Sequence, residues 1–198
     1  VSDCMNIMKY KHQFHMNKND LYCNAGMYLV DLKKWREEKV EDKIIKRIHE
    51  QNGNVFFFEQ TLMNWSCSGK ILQLPPKYNA YTLFWAFTYK NLICWRKPNA
   101  FYLESEVEEA KDNPIIIHFT RNFYMLSRPW IKGCDHPKTK EYVKYKLLTP
   151  WKQLEEDNRS KKSIRRYKLW HIIPQRILAI GAGVIYNEVR PKLWWKNE

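Results

Sequence analysis

The spacing of apolar and polar residues changes period several times along the chain, and each change predicts a new element. Met27-Tyr28-Leu29-Val30 is an unbroken apolar run of the kind a parallel sheet buries on both faces, so a strand is expected over 26–30. Residues 32–50 place Trp35, Ile44, Ile45 and Ile48 on roughly one face, with Gly53 just beyond; this predicts one amphipathic helix capped by Asp31. A short helix is expected over 60–66, then a strand over Lys70 to Leu74 that Pro75-Pro76 ends. The acidic segment Glu104 to Lys111 predicts a helix, broken by Asn113-Pro114. Ile115-Ile116-Ile117-His118-Phe119 then reads as a buried strand ending on a histidine. Strands alternating with helices indicate an α/β fold class, in which ligands collect beyond the carboxyl ends of the strands.

Composition narrows the class. With 198 residues, 44% hydrophobic and 15% aromatic, the chain is too apolar for a disordered protein and long enough for a sizeable core. Nine Trp and twelve Tyr supply flat amphipathic rings suited to sugar faces, bases or membrane interfaces. Cys4, Cys23, Cys67, Cys94 and Cys134 are odd in number and widely spaced, which argues against a disulfide framework or a zinc cage and favours a reducing, cytoplasmic compartment. Val1-Ser2-Asp3-Cys4 carries no signal-peptide pattern, and a start without Met reads as a fragment or a processed product.

The charge excess of +13 is uneven: residues 151–198 hold 11 Lys and Arg against 5 Asp and Glu. That shift near Thr149-Pro150-Trp151 divides the chain into a body, 1–150, and a basic, Trp-rich segment, 151–198. The segment suits either a packed terminal helix with a solvated basic face or contact with an anionic membrane surface, possible through Arg165-Arg166-Tyr167-Lys168-Leu169-Trp170 and Trp194-Trp195-Lys196. Its apolar stretch, 177–186, is too short to span a bilayer, and Gly181 and Gly183 weaken a helix there. Nucleic acid is not an expected partner, because the basic residues of the body are dispersed and no binding motif occurs.

Two polar constellations carry candidate chemistry. His118 ends its strand and is followed by Arg121, Arg128, Pro129 and Trp130, a combination suited to a metal-bound phosphate; the alternative is a packed structural histidine. Glu59-Gln60 follows an apolar run and opens a helix, so the carboxylate either favours the helix start or faces ligand hydroxyls. Asn24 and Gly26 form a turn that admits close approach of a ligand.

Four blocks in order carry a resemblance: Asn24-Ala25-Gly26 with Asp31-Leu32-Lys33-Lys34-Trp35; Glu59-Gln60 with Leu62 and Asn64; Leu74-Pro75-Pro76-Lys77-Tyr78-Asn79; and His118-Phe119 with Arg128-Pro129-Trp130. Over about residues 1–150 the chain resembles the C-terminal half of glycosyltransferase family eight, the retaining glucosyl- and galactosyltransferases that include glycogenin. The resemblance implies a GT-A fold, a UDP-glucose or UDP-galactose donor, a glycan or lipid-linked acceptor in lipopolysaccharide or surface-polysaccharide synthesis, and a divalent metal, Mn2+ or Mg2+. By position it makes His118 the metal ligand, Arg128 and Arg121 the diphosphate contacts, and Asn24, Asp3, Glu59 and Gln60 the residues around the sugar. Gln60 and Glu59 are the catalytic candidates, although an amide is a poor nucleophile.

The chain also departs from the family pattern. It contains no Asp-x-Asp and lacks the nucleotide-binding strands; Arg121 stands where the family has glycine, Glu59 where it has aspartate, and the loop from His118 to Arg128 is long. The expected function is hexosyl transfer at the cytoplasmic face of a membrane, with no activity from this stretch by itself. An inactive remnant that binds a partner is the alternative.

Overall fold

A computed structural model of the protein describes residues 11–12, 14, 16–55, 57–98 and 101–189. It is mixed helix with one small parallel sheet, and its contacts define two units: 1–74 with 97–102 and 190–198, and 75–96 with 103–189.

In the first unit, α1 (Leu32–Glu37) begins where predicted, with Asp31 Oδ1 accepting from the Lys33 and Lys34 N–H groups at 3.0 and 3.1 Å. The helix expected over 32–50 is broken into α1 and α2 (Val40–Glu50), because Lys39 takes a left-handed φ of 51°. Gly53, at φ 77°, ends the pair by donating its N–H to the Ile48 carbonyl. α3 (Glu59–Ser66) packs on α2. Its Trp65 ring lies against Phe14 and under the Arg47 guanidinium, 4.0 Å from the ring centre.

Two expected strands are absent from this unit. Residues 26–30 form no strand, and the run is largely exposed rather than buried: Leu29 is 83% exposed, and Tyr28, Val30 and Leu32 are also open. A strand exists through its hydrogen-bonded neighbour, and among the described residues none runs beside this segment. Residues 70–75 are likewise irregular, with Leu72 91% exposed.

In the second unit, a 3-10 turn at Pro76–Asn79 leads into β1 (Ala80–Tyr81), followed by α4 (Leu83–Ala86), α5 (Tyr89–Arg96) and α6 (Glu104–Asp112). Glu106 anchors the start of α6 by accepting the Leu103 N–H at 2.7 Å. β2 (Ile117–His118) pairs in parallel with β1, Ala80 opposite Ile117 and Tyr81 opposite His118. The strand expected over 115–119 is thus reduced to two residues, with Ile115 and Ile116 exposed. α7 (Thr139–Lys146), α8 (Lys161–Ile172) and α9 (Gln175–Val184) complete the unit, and α9 continues as a π turn to Val189.

The core of this unit is aromatic. Phe87 and Trp95 meet Phe123 and Tyr186, Trp170 reaches Phe123, and His171 stacks on Tyr124 with ring centres 4.4 Å apart. The long loop after His118 is therefore held by Phe123 and Tyr124. α9 docks on α5 through Ala179, Gly183 and Asn187, all buried. Asn187 Nδ2 donates to the Trp95 and Gly183 carbonyls at 3.0 and 2.9 Å. The two glycines that weaken this segment on propensity differ in role: a Cβ on Gly183 would lie 3.1 Å from the Trp95 carbonyl oxygen, whereas Gly181 faces open space.

Gly181→Ala is expected to raise stability by about 0.5–1 kcal/mol through helix propensity. Gly183→Ala is expected to lower it by about 1–2 kcal/mol, as crowding of a backbone carbonyl outweighs that gain. Urea denaturation of the two variants checks both signs. A second expectation comes from His136, 3% exposed between the Trp85 and Phe119 rings, whose Nδ1 accepts the Lys138 N–H at 3.1 Å. Burial, helped by the Lys138 charge, lowers its pKa to about 4 from 6.5. The unfolded chain takes up that proton at higher pH than the folded one, so stability is full above about pH 6.5 and falls as pH drops toward about 4. The loss from this group between roughly pH 7.5 and 5 is about 2 kcal/mol, and His136→Asn, which keeps an acceptor for Lys138, should remove it from the pH profile of the urea midpoint.

Candidate functional site

The sequence-predicted residues fall into two groups, one in each unit. In the first, the turn 22–26 is tied to α3 by side chains one helical turn apart. Gln60 Oε1 accepts from Asn24 Nδ2 at 3.1 Å and from the Ala25 N–H at 3.3 Å. Tyr22 and Thr61 hydroxyls lie 2.7 Å apart. Asn64, fully buried, accepts the Cys23 N–H at 2.7 Å and donates to the Cys23 and Gln60 carbonyls at 2.8 and 2.7 Å. Asn24 Oδ1 in turn accepts the Gly26 N–H at 2.9 Å. Polar spacing at positions 60, 61 and 64 is thus what shapes the turn.

Glu59 is exposed at the first position of α3, preceded by Phe57 and Phe58 at φ 58° and 45°. Bulky residues in that region cost roughly 1–3 kcal/mol each and are typical of functional turns. The Tyr28 hydroxyl belongs to this group although the sequence pattern did not single it out: the side chain is 40% exposed, and its partial burial, and then the Glu59 charge, push its pKa above the ordinary phenol value. Like any phenol it is neutral at neutral pH, and here it is a donor near a carboxylate. Asp3 lies outside the described residues.

In the second unit, His118 stands at the carboxyl end of β2, half-buried. Its Nδ1–H donates to Asn79 Oδ1 at 2.9 Å, and its carbonyl accepts the Thr82 and Thr120 N–H groups at 3.2 and 2.8 Å. Because an amide oxygen only accepts, this bond assigns the proton to Nδ1 and leaves Nε2 with the lone pair. Burial lowers the His118 pKa, which favours the neutral ring a metal needs. The Leu74 to Asn79 block was legible in the sequence, but not this role of its last residue.

Arg121 and Arg128 are exposed, and neither pairs with a carboxylate among the described residues. Arg128 leans over the Trp130 ring at 5.5 Å. Their loop is shaped by Asn122 Oδ1, which accepts from Tyr124 and Met125 N–H at 2.8 and 2.7 Å, and by Ser127 Oγ donating to the Thr120 carbonyl at 2.8 Å. Among the described residues no three His, Cys, Asp or Glu side chains cluster closely enough to hold a metal; His118 fits as one ligand, not as a shell.

Comparison with known proteins supplies the context for this geometry. Lipopolysaccharide 1,2-glucosyltransferase of Escherichia coli is 30% identical over 171 residues, 83% of this chain and 45% of that protein. General stress protein A of Bacillus subtilis is 26% identical over 140 residues, 69% of this chain and 45% of that protein. A putative glycosyltransferase of Haemophilus influenzae is 32% identical over 78 residues, 39% of this chain and 24% of that protein. The chain thus spans less than half the length of these relatives. No solved structure matches it. The family model for glycosyl transferase family 8 matches residues 1–132, and the chain belongs to that family.

Proposed function

We propose that this chain is part of a metal-dependent retaining hexosyltransferase with a GT-A fold, moving glucose or galactose from a UDP-sugar to a glycan or lipid-linked acceptor in lipopolysaccharide or surface-polysaccharide synthesis. Family membership and the likeness to an enzyme named for lipopolysaccharide glucosyl transfer support the reaction class. The observation that carries the reading is the His118–Asn79 pair: an imidazole at a strand's carboxyl end, oriented so that Nε2 offers its lone pair.

In this reading His118 Nε2 is one ligand of a divalent cation, Mn2+ or Mg2+, and manganese accepts imidazole beside oxygen ligands. When bound, the cation would neutralise charge on the departing diphosphate. Arg128 and Arg121 add fixed positive charge for the same oxygens, and no carboxylate among the described residues competes for them. The bond from the anomeric carbon to the diphosphate breaks through an oxocarbenium-like state, the bond to the acceptor oxygen forms on the same face, and the acceptor hydroxyl gives its proton to the departing diphosphate oxygen.

Asn24, Glu59 and Gln60 hold the sugar, with Asp3 near donor and acceptor. Gln60 acts through Asn24 as much as directly, since its amide oxygen already accepts two N–H groups of the turn. A lipid-linked acceptor would be met at the cytoplasmic face of the membrane, and residues 151–198 are the part of the chain suited to hold the protein there.

The test is manganese-dependent hexose transfer, or donor hydrolysis, by the full-length protein with UDP-glucose and UDP-galactose. His118→Ala should abolish the metal response, and Asn79→Ala should weaken apparent metal affinity roughly 10- to 100-fold, the usual loss for a group that orients a ligand. A wild-type manganese response in His118→Ala contradicts the metal assignment. Absence of turnover from either donor contradicts the enzyme and favours the inactive remnant.

A further inference from the structure

Helices α8 and α9 meet at Ile173-Pro174 with a bend of 114° between them, and their inward faces are accounted for. Trp170 and His171 turn α8 toward the aromatic core through Phe123 and Tyr124, and Leu178, Ala179 and Gly183 bury α9. The outward faces are unlike those of a solvated helix. On α9 they are apolar beyond the exposed Arg176 of its first turn: Ile177 (59% exposed), Ile180, Gly181, Val184 and then Ile185 (62%). On α8, exposed Lys161, Arg165 and Lys168 alternate with exposed Leu169 and Ile172, the last 79% exposed. From Lys161 to Asn187 the sequence carries six Lys and Arg and no Asp or Glu.

We propose that these two faces form a docking surface for an anionic lipid bilayer, with the isoleucines and valine of α9 seated at the acyl boundary and the α8 cations among the headgroups. Charge complementarity names the occupant. A row of branched aliphatic side chains flanked by cations matches an interface that is apolar below and anionic above. A nucleic acid would use the cations but finds no stacking ring in the α9 face. A second copy would cover the apolar row but set two equally basic α8 helices against each other. No single helix among the described residues is long and apolar enough to cross a membrane, so the mode is lying on the surface rather than spanning it. The proposal rests on the membrane contact in the proposed function and narrows it to two helix faces; it does not depend on transfer chemistry.

The experiment is flotation of the protein with phosphatidylcholine vesicles, with and without about 30% phosphatidylglycerol. Wild type should float with the anionic vesicles and stay behind with the neutral ones. Ile177→Asp/Ile180→Asp should lose flotation. Arg165→Glu/Lys168→Glu should weaken partition roughly fivefold or more per reversed charge, and salt should act in the same direction. All four positions are exposed, so circular dichroism and thermal melts should match wild type; the charge-reversal pair leaves the apolar row intact and tests the surface if the aspartates disturb folding. Wild type that does not float, or variants that float as wild type does, overturns the proposal. A dimer that the aspartate pair converts to monomer, with no flotation, overturns it in favour of self-association. Wild type that transfers to a soluble acceptor but does not float sinks this inference alone, whereas flotation of a full-length protein without any transfer sinks only the transferase reading.

Discussion

The parallel pairing of Ala80–Tyr81 with Ile117–His118 is the constraint from which the second unit is built. Two residues a side is a very short sheet, and backbone hydrogen bonds at its ends support it. Ile115 and Ile116 N–H groups donate to the Lys77 carbonyl, Ala80 to Ile116, and Thr82 to His118. Asn79, immediately before β1, then meets the His118 ring. Register, imidazole orientation and the start of the long loop are therefore set together. Slipping the pair by one residue would turn His118 to the other face and separate it from Asn79.

The first unit solves the same problem with side chains instead of a ladder. The turn 22–26 has no strand to pair with among the described residues, so its backbone groups are satisfied by Gln60 and Asn64 of α3. Buried amides of this kind are costly when half satisfied and specifying when complete. Asn64 is complete, with three bonds. Candidate sugar-binding residues thus sit on a turn whose shape a helix dictates.

Much of this was readable from the residues, and the misses have physical causes. The Asp31 cap, α3 and α6 announce themselves through local chemistry: a carboxylate ahead of a helix, a polar-apolar period, a breaker pair. The strands expected over 26–30 and 70–74 failed because hydrophobicity signals burial, whereas a strand needs a hydrogen-bonding neighbour that no local pattern encodes. The break at Lys39 has no Gly or Pro to mark it. Gly183 looked like a weakness until its close approach to α5 was seen. His118 and the arginines were found as residue types in order, but the partner that gives His118 its tautomer is 39 positions away, and only the folded register brings it near.

The central claim is that Asn79 holds His118 with Nδ1 protonated and Nε2 available. Nitrogen-15 NMR of the imidazole, recorded above neutral pH so that the ring is uncharged, reads this directly. The expected spectrum shows a protonated Nδ1 and a pyridine-type Nε2 for His118, and Asn79→Ala lets the ring shift toward the Nε2-protonated tautomer. A wild-type ring already protonated at Nε2, or one indifferent to Asn79→Ala, would contradict the account.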